Sequence, residues 1–135
     1  MRYPDIFQVE DSDDFIFLME HAVTEISRDL RLVISINGNE AIKALAGLQA
    51  RSSKPGLILL DINLPGISGV EVLKKIREND FFQSVPIVMF STSDNPKDVD
   101  SVMGFGANGY QVKPMGYREL VNCLKKMKEY YLKTN

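Results

Sequence analysis

Two hydrophobic periods alternate along this chain. Short apolar runs at Ile6–Glu10, Arg31–Ile36, Leu57–Leu60, Val85–Phe90 and Ala107–Val112 carry the branched and aromatic side chains expected of strands. Between them apolar residues recur at intervals of three and four, the spacing that lines one face of a helix. The five helical sets run through Phe15, Leu18, Met19, Ala22, Val23 and Ile26; Ala41, Ile42, Leu45 and Leu48; Val70, Leu73 and Ile76; Val99, Val102 and Met103; and Leu120, Val121, Leu124 and Met127. Polar breaks separate the blocks. Asp11-Ser12-Asp13-Asp14, Asn39, and Ser93 or Asp94 ahead of Pro96 offer N-cap chemistry, while Asn37-Gly38, Arg51–Gly56, Asn63–Gly69 and Lys113-Pro114 read as turns or breaks. The third helix is expected to reach about Asn79.

Strand followed by helix, five times over and with connections too long for hairpins, selects an α/β fold with a parallel sheet and helices on both faces. Leu57–Leu60, apolar without interruption, fits a strand buried on both sides. Right-handed crossovers leave few topologies, and the doubly wound strand order 2-1-3-4-5 is the common one for five strands. Gln8 is polar where that pattern expects an apolar residue.

Composition narrows the class. With 135 residues, 44% hydrophobic and 25% charged, the chain reads as one domain over 1–135 without an output domain. Its net charge of −2 gives no general attraction for nucleic acid or an anionic membrane, and neither is expected as a partner. The distribution is uneven: residues 1–29 hold eight acids against Arg2 and Arg28, and residues 111–135 hold six bases against two acids. A lone Cys123 excludes an internal disulfide and reads as a packed thiol. No secretory leader or apolar stretch of about 18 residues is visible, so the expected location is cytoplasmic.

In a parallel sheet all strand C-termini share one edge, where ligands bind. That rule gathers Glu10 and Asp11 after the first strand, Asp61 after the third, Ser91 and Thr92 after the fourth, and Lys113 after the fifth. Crowded carboxylates need a cation, and their hard oxygens suit Mg²⁺. A carboxylate can also attack a phosphoryl group to form an acyl phosphate, provided the equatorial oxygens are neutralised. Asp61, held by a buried run and followed by an open Gly/Pro loop, is the candidate nucleophile; Glu10 and Asp11 are better placed as ligands. Taken singly, Asp11 and Asp61 read as readily as capping or loop acids. Their convergence is what favours chemistry.

Val9-Glu10-Asp11, Leu57 through Gly66 with Ser68-Gly69, Val85 through Ser91, and Gly106 through Pro114 together resemble the receiver domain of two-component response regulators, a flavodoxin-like fold. The likeness spans nearly the whole chain. It implies Asp61 as phosphoacceptor, with Glu10, Asp11, Asp61 and the backbone carbonyl of Asn63 around Mg²⁺. It also implies Ser91 as the switch hydroxyl, Lys113 as the phosphoryl-contacting ammonium, a cis Lys113–Pro114 peptide, and Tyr110 as an aromatic switch, for which plain packing is the alternative. The acidic pair is Glu-Asp rather than the commoner Asp-Asp.

The function implied is a non-enzymatic, single-domain signalling protein phosphorylated by a sensor histidine kinase. Its changed surface around the fourth helix, last strand and last helix would be read by an unidentified downstream protein. A phosphorelay intermediate handing the group to a histidine phosphotransfer protein is the alternative. More distant is an aspartate-based phosphohydrolase, which needs a second acid where Asn63 stands. A flavin carrier is disfavoured because Glu10–Asp14 would repel its phosphate. His21, amid Met19, Ala22 and Val23, reads as a helix-face residue. Tyr130-Tyr131-Leu132 extends past the stretch needed to cover the sheet and is expected to meet a second copy or a partner.

Overall fold

A computed structural model describes residues 2–132; Met1 and residues 133–135 lie outside it. Five strands alternate with five α-helices: β1 (Ile6–Val9), α1 (Asp13–Ile26), β2 (Leu32–Ser35), α2 (Gly38–Ala50), β3 (Leu57–Leu60), α3 (Gly69–Arg77), β4 (Ile87–Ser91), α4 (Pro96–Gly104), β5 (Gly109–Val112) and α5 (Tyr117–Tyr131). The sheet is parallel throughout, in the order β2-β1-β3-β4-β5. Among the described residues no helix is long and apolar enough to cross a membrane.

Strand alternation sorts the core into two layers. Phe7, Val9, Ile58, Leu60, Ile87 and Met89 face α2, α3 and α4, whereas Ile6, Leu57, Leu59, Val88 and Phe90 face α1 and α5. Gln8 shares the α1/α5 side with Ile6 and is buried like its neighbours, so β1 is a central strand despite the polar residue; its Oε1 has no hydrogen-bond partner.

The caps differ in detail from the sequence expectation. Ser12 caps α1 by accepting from Phe15 N, but α2 is capped by Asn37, accepting from Glu40 N at 2.8 Å, rather than by Asn39. Asn95, not Ser93 or Asp94, caps α4. α3 ends at Arg77, two residues before the expected Asn79, and the chain then makes a 3-10 turn at Asp80–Phe82 that apolar periodicity does not mark. Arg77 staples this region, donating to the carbonyls of Gly106, Phe82 and Val85 at 2.9 Å each and to Asn108 Oδ1 at 2.7 Å. At the far end of α5, Leu132 is buried against the α1/α5 core and Tyr131 is half-buried, leaving Tyr130 exposed among the three residues expected to meet a partner.

Candidate functional site

Each candidate residue stands at the C-terminal end of a different strand, so register decides what meets. Val9 pairs with Leu60, and the next residues, Glu10 and Asp61, therefore leave the sheet side by side. Glu10 N donates to Ser35 O and Asp61 N to Val9 O, continuing the ladder one step past the strands. Met89 pairs with Tyr110 and Ser91 with Val112; Lys113 N then donates to Ser91 O at 2.8 Å.

Carboxylate oxygens of Glu10, Asp11 and Asp61 lie within 4.8 Å of one another. Glu10 is 1% exposed and Asp61 6%, while Asp11 is open to solvent. Lys113 bridges the two buried acids, its Nζ 2.7 Å from Glu10 Oε1 and donating to Asp61 Oδ2 at 3.0 Å. The other oxygens are held by backbone: Ser12 N donates to Glu10 Oε2 at 3.1 Å and Asn63 N to Asp61 Oδ1 at 3.2 Å. Burial pushes the Glu10 carboxyl up, and the Lys113 ammonium and Ser12 N–H only partly oppose this. For Lys113 burial alone would lower the value, but Glu10 and Asp61 outweigh it and the net shift is upward.

One ammonium cancels one of three charges. The remaining donors are hard, convergent oxygens with an exposed member at the mouth, a set that fits a hard divalent cation such as Mg²⁺.

Family comparison bears directly on this arrangement. The family model of the response regulator receiver domain matches residues 6–125. The chain belongs to that family. The receiver is similar to Response regulator Rcp1 of Synechocystis, 32% identical over 131 residues that cover 96% of this chain and 89% of that protein. Among solved structures it resembles the phosphorylated cyanobacterial phytochrome response regulator RcpA, with a TM-score of 0.83, 32% identity, and 96% of this chain and 94% of that one covered. It also resembles the Mn²⁺-bound form of Rcp1, with a TM-score of 0.78, 32% identity, and coverage of 96% and 95%.

Not every expected residue joins the cluster. Ser91 is fully buried and its Oγ accepts only a long 3.4 Å bond from Ser93 N; among the described residues no hydrogen bond links it to Asp61. Tyr110 is half-buried, and its hydroxyl donates to Ser93 O at 2.6 Å. The Lys113–Pro114 peptide is trans, a correction to the sequence expectation; the cis bond among the described residues is Tyr3–Pro4. No isomer is needed to aim the lysine, because the bond from its own N–H to Ser91 O fixes its Cα at the sheet edge and the four-carbon stem spans the rest.

Three contributors escape sequence reasoning. The ring of Phe15 lies 4.6 Å from Lys113 Nζ. Ser93 presents its backbone carbonyl to Tyr110, and Gly69 packs directly against the Asp61 and Ile62 backbone. Only Gly69 carries a sequence signal, as part of Ser68-Gly69, and it signals a tight loop.

Proposed function

We propose that this receiver accepts a phosphoryl group on Asp61 from the phosphohistidine of a sensor histidine kinase and acts as a single-domain response regulator. The observation that carries the reading is Lys113 held between Asp61 and Glu10 with Asp11 beside them. An Asp61 oxygen attacks phosphorus, the P–N bond breaks, and the imidazole leaves with its electron pair and takes up a proton. Glu10, Asp11, Asp61 and the Asn63 carbonyl would hold Mg²⁺. A bound Mg²⁺ supplies charge neutralisation at the phosphoryl oxygens. Lys113, already at the nucleophile, covers a second side of the transferring group.

Phosphorylation adds up to about two negative charges and three acceptor oxygens beside Ser91. Ser91 is weakly held and moves toward them. Because Ser93 carries the carbonyl that accepts from Tyr110, displacement of residues 91–93 reaches the aromatic ring and the surface of α4, β5 and α5. Incubation with Mg²⁺ and acetyl phosphate, read by intact mass and peptide mapping, tests the reading. The adduct is expected on Asp61 and absent from Asp61→Asn; an adduct that survives that substitution overturns it.

A further inference from the structure

We propose that Phe15 is a positioning residue for Lys113, its ring forming the wall that keeps the ammonium against the two carboxylates. The consequence for phosphorylation rests on the reading of Asp61 above; the contact itself does not. Phe15 lies in the first turn of α1, its N–H donating to the Ser12 cap, so its place is set by the helix start. Its ring meets Phe90 edge-on, with centroids 5.4 Å apart and planes at 69°. Phe90 is buried in β4 and anchors the ring from the sheet side. On its other side the Phe15 ring lies 4.6 Å from Lys113 Nζ, close enough for the ring quadrupole to attract the cation.

Lys113 thus has Glu10 and Asp61 on one flank and an aromatic ring on another, and its side chain is 9% exposed. Once Glu10 and Asp61 turn to a metal or a phosphoryl group, the lysine loses part of its grip. A free lysine side chain spreads over many rotamers, so an unconfined ammonium leaves the nucleophile for much of the time. The ring does not engage metal or phosphoryl oxygen, so it confines the ammonium through the transfer.

The experiment compares the parent with Phe15→Leu, which keeps an apolar side chain on Phe90, and Phe15→Tyr, which restores an aromatic face. Two readouts are used: the Lys113 ε-methylene proton shifts by NMR, and the rate of adduct formation from acetyl phosphate at saturating Mg²⁺. The parent and Phe15→Tyr should show Lys113 ε-protons moved upfield by the ring, and Phe15→Leu should show them at the ordinary lysine position. Phosphorylation should slow about three- to tenfold in Phe15→Leu and recover in Phe15→Tyr. Equal rates in the parent and Phe15→Leu, or failure of Phe15→Tyr to recover, overturn the proposal. If the parent itself takes no phosphoryl group, the Asp61 reading fails instead. The ε-proton shifts still decide the contact, since shifts unchanged by Phe15→Leu overturn it whatever the labelling result.

Discussion

Replacing Gly69 by alanine tests how closely the phosphorylation loop is folded on itself. At an ordinary position near a helix start the change gains about 0.5–1 kcal/mol, because glycine loses more backbone entropy on folding. Here an added Cβ would overlap the Asp61 carbonyl oxygen and stand 2.7 Å from the Asp61 carbonyl carbon and Ile62 Cα. Comfortable carbon contacts are about 3.5–4.0 Å, so two backbone segments must separate by about 1 Å. Overpacking of this kind costs about 1–3 kcal/mol. Weakening the 2.8 Å bond from Gly69 N to Ile62 O adds about 0.5–1.5 kcal/mol. Set against the entropy gain, the net expectation is a loss of about 0.5–4 kcal/mol in urea unfolding. The displaced segment carries Asp61, so adduct formation from acetyl phosphate should fall on the order of ten- to a hundredfold. Gly47→Ala is the control: beyond the local backbone of α2, nothing lies within 4 Å of its added methyl. That variant should be about 0.5–1 kcal/mol more stable and labelled at the parent rate. A Gly69→Ala protein as stable and as readily labelled as the parent would refute the close-approach argument.

Three further outcomes follow from features away from the nucleophile. Gln8→Met removes a buried carbonyl oxygen without a partner and should raise the urea midpoint, a gain of about 1–2 kcal/mol; a loss would mean that the amide is satisfied in solution. Arg77→Lys keeps the charge but cannot reproduce a fork shared by four acceptors, and should cost about 2–3 kcal/mol in the same assay, whereas an unchanged midpoint would deny the staple. Burial pushes the Cys123 thiol up, with Lys126 opposing only in part, so alkylation at pH 8 should run slower than for free cysteine and accelerate at higher pH. By the same sign, its contribution to stability is present below the ordinary thiol value and is lost as pH rises through the raised one; labelling at the free-cysteine rate would contradict the burial.

The topology was legible because strand and helix periods differ and because parallel strands force their C-termini to one edge. Leu57–Leu60, a run with no competing period, was placed to the residue, and Glu10, Asp11, Asp61 and Lys113 converge as the edge rule requires. Boundaries were less legible. Ile36 has strand chemistry yet lies beyond β2 and is exposed, and Asn37, read as part of a turn, is the cap because the helix starts at Gly38, ahead of the expected cap Asn39. Burial of Gln8 was hidden for the opposite reason, since a polar residue takes the environment of its strand when both neighbours in the sheet are buried. Phe15 looked like one more apolar residue in a helical stripe. Its pairing with Lys113 joins residues 98 positions apart, and no local pattern encodes it. The Lys113–Pro114 geometry was expected from family resemblance and not from anything the residues require, and it is there that the structure departs.

The packing of Leu132 and Arg2 over Gly56 decides where the molecule can be tethered. Gly56 leads into β3 at the sheet edge opposite Asp61, so both segments gather at the pole farthest from the acidic cluster. Attachment of a fluorophore or solid support at that pole would leave the mouth around Asp11 facing solvent.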